Sequence, residues 1–153
     1  MRIRRAGRVI ALDPGNRVLL MRYDHRPPQG RHWTTPGGAL NPGESYAGGA
    51  ARELTEETGW TDVRLGALVH KYEFTVDYGD HIVLHRQRFF LAEVAIPGRA
   101  AADVGGMHQT DGIAAWRWWS LAELDATTEV IIPPGLSALI RGLPSQAASP
   151  DTR

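Results

Sequence analysis

The feature that most constrains the fold of this chain is residues 45–58, where small apolar residues and glutamates occupy adjacent faces of one predicted helix. The apolar positions recur at spacings of three and four, which is typical of a helix docked on a core. Ser45 is a favourable N-cap residue, and Gly59 suits a left-handed C-cap. The stripe consists of Ala47, Ala50, Ala51 and Leu54.

The acidic face of this helix carries Glu53, Glu56 and Glu57, and Glu44 lies just before its first turn. Like charges at these spacings repel by roughly 0.2–0.5 kcal/mol per pair on an exposed helix. A solvated acidic face is one interpretation. The Pro-Gly-Gly loop at residues 36–38 and the docked apolar face favour another, in which the carboxylates hold cations. Oxygen ligands without sulfur favour Mg²⁺ or Mn²⁺, which commonly act on phosphates.

The composition limits the remaining functional classes. A chain of 153 residues suits one domain with a full core. The absence of cysteine excludes disulfides and cysteine nucleophiles. A net charge of zero argues against electrostatic binding of nucleic acid. The apolar run at residues 9–12 is too short for a signal peptide or a membrane span, so we expect no membrane association and a cytoplasmic location.

The rest of the chain predicts a mixture of strands and helices. The turn Asp13-Pro14-Gly15-Asn16 joins two apolar runs into a hairpin. Residues 24–33 and 34–44 are predicted to be loops, as are residues 97–112. Long strands are expected at residues 63–76 and 81–94, and a further strand at 113–120. Short helices are expected from Ser120, which has capping-box spacing to Glu123, and from Pro133. The class is therefore α/β or α+β with a mixed sheet.

Residues 38–60, GALNPGESYAGGAARELTEETGW, resemble the signature of the Nudix hydrolases. That signature is a glycine, five residues, Glu, seven residues, Arg-Glu, an apolar residue, any residue, Glu-Glu, any residue, Gly and an apolar residue. Trp60 stands where the family usually has Ile, Leu or Val, which affects packing and not chemistry. The matching positions are Gly38, Glu44, Arg52, Glu53, Leu54, Glu56, Glu57 and Gly59.

The resemblance implies an α/β fold, the α/β/α sandwich with a mixed sheet, over residues 1–142, with a disordered tail at 143–153. It implies cleavage of a nucleoside diphosphate linked to another group, with Mg²⁺ as the metal and Mn²⁺ as its substitute. Glu56, Glu57 and Glu53 would be metal ligands, and Glu53 would alternatively be the base. A backbone carbonyl of Gly37 or Gly38 would also reach the metal. Arg52 would hold a glutamate in position, and Glu44 would support the cluster.

Residues outside the signature are candidates for catalysis and for binding the substrate. Some family members have a catalytic base on a later loop, and His108 and Asp111 are the candidates for that role here. Trp33 and Tyr72 are candidates for contact with the nucleobase, and Trp33 is preferred because its loop borders the predicted site. Arg86 and Arg88 alternate onto one face of a strand and are candidates for phosphate contact.

The substrate is the least determined prediction. Thr75 and Val76 stand where family members acting on ADP-ribose often have a proline, which favours a nucleoside triphosphate, unmodified or damaged. ADP-ribose, nucleotide sugars and dinucleoside polyphosphates remain alternatives, as does a nucleotide-sensing module without catalysis. The expected partner is a small nucleotide, with no strong sign of nucleic-acid binding. The sequence leaves a homodimer open.

Overall fold

The computed structural model describes residues 1–94 and 112–144. Within these ranges the strands are β1 (Arg2–Leu12), β2 (Val18–Asp24), β3 (Arg31–Thr34), β4 (Gly37–Ala39), β5 (Leu68–Asp77), β6 (Ile82–Glu93), β7 (Ile113–Trp119) and β8 (Ile131–Ile132). The helices are α1 (Tyr46–Thr58), α2 (Leu121–Ala126) and α3 (Leu136–Arg141). None of the helices in the described part of the chain is long and apolar enough to cross a membrane.

The strands form one mixed sheet in the order β5-β6-β1-β2-β3-β8, with β4 paired to β1 and β7 paired to β2. β1 pairs in parallel with β6 over its whole length, and β3 pairs in parallel with β8. The other pairings are antiparallel. The predicted mixed sheet and α/β class are confirmed.

Each face of the sheet carries an apolar cluster. On one face, Val9 and Ala11 of β1 pack with Ala50 and Leu54 of α1. On the other, Ile10 of β1 packs with residues of β6 and with α3. Because successive residues of a strand point to opposite faces, one strand contributes to both clusters. Helices on both faces of a sheet make the predicted sandwich.

Helix α1 follows its local sequence signals closely. The side chain of Ser45 accepts a hydrogen bond from the backbone N–H of Gly48 at 2.9 Å. Gly59 ends the helix in the left-handed conformation, with φ of 79°. The helix approaches β1 at Gly7, where an added Cβ would meet the backbone of Tyr46 and of Ala50. This close approach fixes α1 against the centre of the sheet.

Several boundaries differ from those predicted. β1 extends back to Arg2 because β6 pairs with all of it. β3 and β4 lie in segments predicted as loops. β3 forms a hairpin with β2 and also pairs with the distant β8, and β4 pairs with β1. The last helix begins after Gly135 and not at Pro133. Of the tail predicted to be disordered, only residues 143 and 144 lie within the described ranges.

Candidate active site

The candidate site is built around Arg52, which contacts three of the carboxylates of the motif. Its guanidinium donates Nε and Nη2 to the two oxygens of Glu44, at 2.8 and 2.9 Å. Nη1 donates to Glu53 at 3.3 Å and to Glu56 at 3.1 Å. Nη2 also donates to the carbonyl of Ala39 at 3.1 Å. This single cation therefore offsets the repulsion expected among the glutamates.

Glu44 is fixed from two directions. Besides its two bonds to Arg52, it accepts the backbone N–H of Asn41 at 2.8 Å. These hydrogen bonds, the bond to Arg52 first, lower the pKa of Glu44 to about 2. The same pairing raises the pKa of Arg52. Both groups are therefore fully charged at neutral pH, and the loop before α1 is tied to the middle of the helix.

Glu57 is the buried carboxylate of the motif, with 2% of its surface exposed. Its Oε1 accepts the backbone N–H of Gly37 at 3.0 Å. Gly37 has φ of +147°, which a residue with a side chain rarely adopts. At Gly38 an added Cβ would lie 2.5 Å from Oε2 of Glu53. The two glycines therefore let the strand β4 approach the carboxylates of α1.

Glu53 and Glu57 open onto a cavity of about 590 Å³ together with Gly37 and Gly38. Its other walls come from β1, β6, the β2–β3 hairpin and the β5–β6 hairpin. The side chains that line these walls include Arg4, Arg8, Tyr23, His25, His32, Thr34, Phe74, Tyr78, His81, Val83, His85 and Gln87. Basic, aromatic and neutral polar groups thus surround the carboxylate wall.

The carboxylate wall suits a hard divalent cation. Glu53, Glu57 and the backbone of the glycine strand offer only oxygen, which is the donor type that Mg²⁺ prefers. One or two carboxylates with substrate phosphates are a common set for this ion. Within the described ranges, no three or more Asp, Glu, His or Cys side chains are grouped as a ready-formed metal site. Glu56 has 55% of its side chain exposed and does not line the cavity, so its role as a ligand stays a prediction.

Arg8 is a buried cation beside this wall. Its Nη1 donates to the carbonyl of Thr35 at 2.8 Å, while its buried Nε has no hydrogen-bond partner within the described residues. Burial lowers the pKa of Arg8, and the charge of Glu57 acts in the opposite direction. An arginine remains protonated in proteins, so the cavity carries a positive charge next to its carboxylates.

The wall formed by β6 is polar but neutral. His85 and Gln87 are buried side chains on the cavity side of the strand. The ring of His85 stacks on Phe74, with centroids 4.8 Å apart and planes 2° apart. Burial, with smaller contributions from Arg4 and Arg8, lowers the pKa of His85 to about 4. The imidazole is therefore uncharged at neutral pH.

Arg86 and Arg88, predicted to contact phosphate, lie on the face of β6 opposite the cavity. Residues 83, 85 and 87 line the cavity, so the alternation of the strand directs the two arginines to the opposite face. There Arg86 pairs with Glu73 at 2.6 Å, and Arg88 lies over the ring of Tyr46 at 5.2 Å. Neither arginine lines the cavity, so their contact with phosphate stays a prediction.

The aromatic candidates are also displaced from the cavity. Trp33 is 5% exposed, packs edge-on against Trp119 in the core and donates its indole N–H to Glu129 at 2.9 Å. Tyr72 packs against the same core and lies beside Phe74, with ring centroids 5.3 Å apart. Neither residue lines the cavity. The aromatic groups that do line it are Phe74, Tyr78 and Tyr23.

His108 and Asp111, the loop candidates for the base, lie outside the described residues. Sequence reasoning missed Arg4, Arg8, His85 and Gln87. A signal was present for Arg8 and Gln87, because each is a polar residue in a strand with an apolar residue two positions away. Their convergence depends on the pairing of β1 with β6, which no local pattern reveals.

The carboxylates Glu53 and Glu57 thus face basic, aromatic and neutral polar groups across a cavity on the central strands β1 and β6. A family model described as NUDIX domain matches residues 1–138. The chain therefore belongs to the Nudix family, as the signature predicted, and is a pyrophosphohydrolase.

Curated relatives and solved structures agree with this assignment. The chain is 31% identical to an RNA pyrophosphohydrolase of Sphingopyxis alaskensis over 121 residues, which cover 72% of each protein. It is 28% identical to an RNA pyrophosphohydrolase of Caulobacter vibrioides over 134 residues, covering 82% of this chain and 74% of that protein. The fold resembles a MutT protein of Methanosarcina mazei Go1, with a TM-score of 0.66 and 22% identity over 92% and 91% of the two chains. It also resembles a C. elegans Ap4A hydrolase, with a TM-score of 0.59 and 23% identity over 90% and 93%.

Proposed function

We propose that this enzyme hydrolyses a phosphoanhydride bond of a nucleoside triphosphate, unmodified or damaged, with Mg²⁺ as its metal and Mn²⁺ as a substitute. The observation that carries the proposal is the cavity shared by Glu53, Glu57, the glycine strand and Arg8. Carboxylates and a buried arginine at one end suit a metal-bound phosphate chain. Neutral and aromatic groups at the other end, with Arg4 beside them, suit a nucleoside.

The metal would be held by Glu53, Glu57 and a backbone carbonyl of Gly37 or Gly38, with Glu56 as a further candidate. When bound, it would neutralise charge on the phosphate oxygens and make the attacking water more acidic. The chain's own contribution is to hold these oxygens in position. The N–H of Gly37 fixes Glu57, and Arg52 restrains Glu53 through Nη1. Glu53 is the candidate to accept the proton of water, with His108 and Asp111 as the alternatives.

Arg8 is the candidate for direct contact with the phosphates. It lines the same cavity as the carboxylates, and its buried Nε–H lacks a partner in the described residues. A guanidinium that is already held by Thr35 is preorganised, so little entropy is lost when it binds an anion. Its positive charge also stabilises negative charge that develops on phosphate oxygens during hydrolysis.

A second candidate substrate is RNA with a 5′-triphosphate. The observation that favours it is the name of the two curated relatives, both RNA pyrophosphohydrolases. Arg2, Arg4 and Arg5 lie on the first residues of β1, in or beside the cavity and a neighbouring hollow. The arginines at this end of the strand would bind phosphates of the RNA backbone beyond the first nucleotide. The net charge of zero gives the small nucleotide precedence.

The test is a panel assay on the purified chain with Mg²⁺ and with Mn²⁺. Substrates are unmodified and oxidised nucleoside triphosphates, ADP-ribose, a nucleotide sugar, a dinucleoside polyphosphate and 5′-triphosphorylated RNA. We expect metal-dependent release of phosphate or pyrophosphate, with the highest kcat/KM on a nucleoside triphosphate. A higher kcat/KM on RNA would replace the first candidate by the second, and a preference for ADP-ribose would contradict both.

A further inference from the structure

Two polar atoms on the β6 wall of the cavity lack any hydrogen-bond partner among the described residues. They are Nε2 of His85 and Oε1 of Gln87, in side chains that are 4% and 3% exposed. Buried polar atoms are nearly always satisfied, because an unsatisfied one loses its bonds to water without replacement. Because both side chains line the same wall of the cavity, a ligand bound there would supply the missing partners once the side chains turn toward it.

The strand register separates these two residues from the phosphate end. Gly37, which binds Glu57, pairs with Arg8, whereas Gln87 pairs with Ala6 and His85 with Arg4. The rise of a strand is about 3.3 Å per residue. Gln87 therefore lies about 7 Å, and His85 about 13 Å, along the sheet from the level of Arg8. That offset matches a nucleoside extending from phosphates held at Arg8.

The chemistry of the two side chains suits a neutral partner better than a phosphate. A phosphate oxygen has lone pairs but no proton to give, so it cannot satisfy the amide oxygen of Gln87. His85 is uncharged at neutral pH because burial lowers its pKa to about 4, so it brings no positive charge. A neutral imidazole and an amide each offer a donor and an acceptor. Their complement is a neutral group that also carries both, such as the edge of a nucleobase.

We propose that His85 and Gln87 are specificity-determining residues that hydrogen-bond the edge of the substrate's nucleobase, on the assumption that the substrate is a nucleotide as proposed above. Phe74 supports this contact, because its ring stacks on His85 and fixes the imidazole plane. The phosphates and the base are thus recognised by different residues of the same two strands. Arg8 would recognise the charge of the phosphates, and His85 and Gln87 would recognise the hydrogen-bonding pattern of the base.

The test uses Gln87→Leu and His85→Phe, which put apolar side chains of similar shape and somewhat larger volume in place of the unsatisfied atoms. Thr75→Val is the matched control, because it removes a polar atom from the exposed face of β5. For each variant, kcat and KM are measured with Mg²⁺ on four ribonucleoside triphosphates and on methyl triphosphate, which has no base. Thermal unfolding is recorded in parallel.

We expect each variant to lower kcat/KM on the preferred nucleotide about 10-fold or more, mainly through KM, because the partner atoms on the base lose their bonds. The four nucleotides should then differ little, while methyl triphosphate and the control are unchanged. The melting temperature should stay the same or rise, since buried unsatisfied atoms are removed. A merely structural role would instead lower the melting temperature and affect methyl triphosphate equally.

Retention of the base preference by both variants, or an equal loss on methyl triphosphate, would overturn the inference. A uniform loss on all four nucleotides but not on methyl triphosphate would also overturn it, because it would assign these residues to the ribose. If the wild-type protein hydrolyses none of these triphosphates, the proposed function itself is contradicted, whatever the variants do.

Discussion

Replacing Glu57 by Gln should destabilise the protein far more than replacing Glu56 by Gln, although the two residues are neighbours in the motif. Glu57 is buried and accepts the N–H of Gly37 at 3.0 Å. Glu56 is mostly exposed and accepts a 3.1 Å hydrogen bond from Arg52. The comparison separates a carboxylate that organises the cavity from one on the helix surface.

The magnitude follows from these contacts. An amide oxygen can still accept from Gly37, so the loss is the difference between a charged and a neutral hydrogen bond, about 1–1.5 kcal/mol. Reduced attraction to Arg8 brings the total to about 1–2 kcal/mol. For a chain of this size, 1 kcal/mol corresponds to about 2–4 °C, so Tm should fall by about 2–8 °C. An exposed pair contributes at most about 1 kcal/mol, so Glu56→Gln should move Tm by less than about 4 °C.

The assay is thermal unfolding followed by circular dichroism at neutral pH in EDTA, then repeated with excess Mg²⁺. A ligand at 100 times its Kd stabilises the native state by about 2.7 kcal/mol, so wild-type Tm should rise by roughly 5–10 °C. Glu57→Gln should lose most of that rise. Equal Tm values for the two variants in EDTA, or a more stable Glu57→Gln, would refute the reasoning, because repulsion among the carboxylates would then outweigh the contacts of Glu57.

Three further predictions follow from individual contacts. Gly38→Ala should keep the fold but lower kcat strongly, because the added Cβ would lie 2.5 Å from Oε2 of Glu53 and would displace that carboxylate. Steady-state kinetics will test the loss of kcat, and a circular-dichroism spectrum will test the fold. Arg52→Ala should lower the stability of the protein, because it removes the hydrogen bonds from Arg52 to ionised Glu44. The folded pKa of Glu44 is lowered to about 2, so this stability is present above its unfolded pKa and is lost as the pH falls through the folded one. The difference in Tm between wild type and variant should therefore shrink below about pH 4, and a constant difference down to pH 2 would contradict the assignment. Trp33→Phe should lower Tm, because it removes the 2.9 Å hydrogen bond to Glu129 and some core volume, and it should leave KM unchanged. A large rise in KM at constant Tm would instead support Trp33 as a base-binding residue.

The helix of the motif could be predicted from sequence because its signals are local. Ser45, Gly59 and the apolar stripe lie within one segment, and the structure begins and ends the helix next to them. The family signature likewise lies in 23 consecutive residues, 38–60. The carboxylate wall of the cavity could therefore be predicted from one short segment of the chain.

The opposite wall could not be predicted, because it depends on pairing between residues about 80 positions apart, such as Arg4 with His85. Alternation along β6 divides its residues into two faces but does not say which face meets the cavity. Arg86 and Arg88, the residues predicted from the sequence, lie on the face that does not line the cavity. Trp33 lies away from the cavity for a related reason, since the loop predicted around it is the strand β3, which carries the ring into the core.

The short strand β4 shows a second limit. Its three residues carry little side-chain information, and glycine disfavours strands by propensity. It forms because β1 offers a pairing edge and because Gly7 allows α1 to approach the same strand. The geometry of the site therefore depends on backbone approach at Gly7, Gly37 and Gly38, which a propensity argument treats as loop.

The central claim is that the cavity next to Glu57 carries out metal-dependent hydrolysis of a phosphoanhydride. The most direct measurement is the initial rate of phosphate and pyrophosphate release from the best substrate of the panel, with wild type and Glu57→Gln at the same Mg²⁺ concentrations. We predict no turnover in EDTA, a rate that rises with Mg²⁺ in the wild type, and a variant that stays folded at the assay temperature but loses most of the turnover. A folded Glu57→Gln with the wild-type rate at low Mg²⁺, or a wild-type rate unaffected by EDTA, would contradict the account.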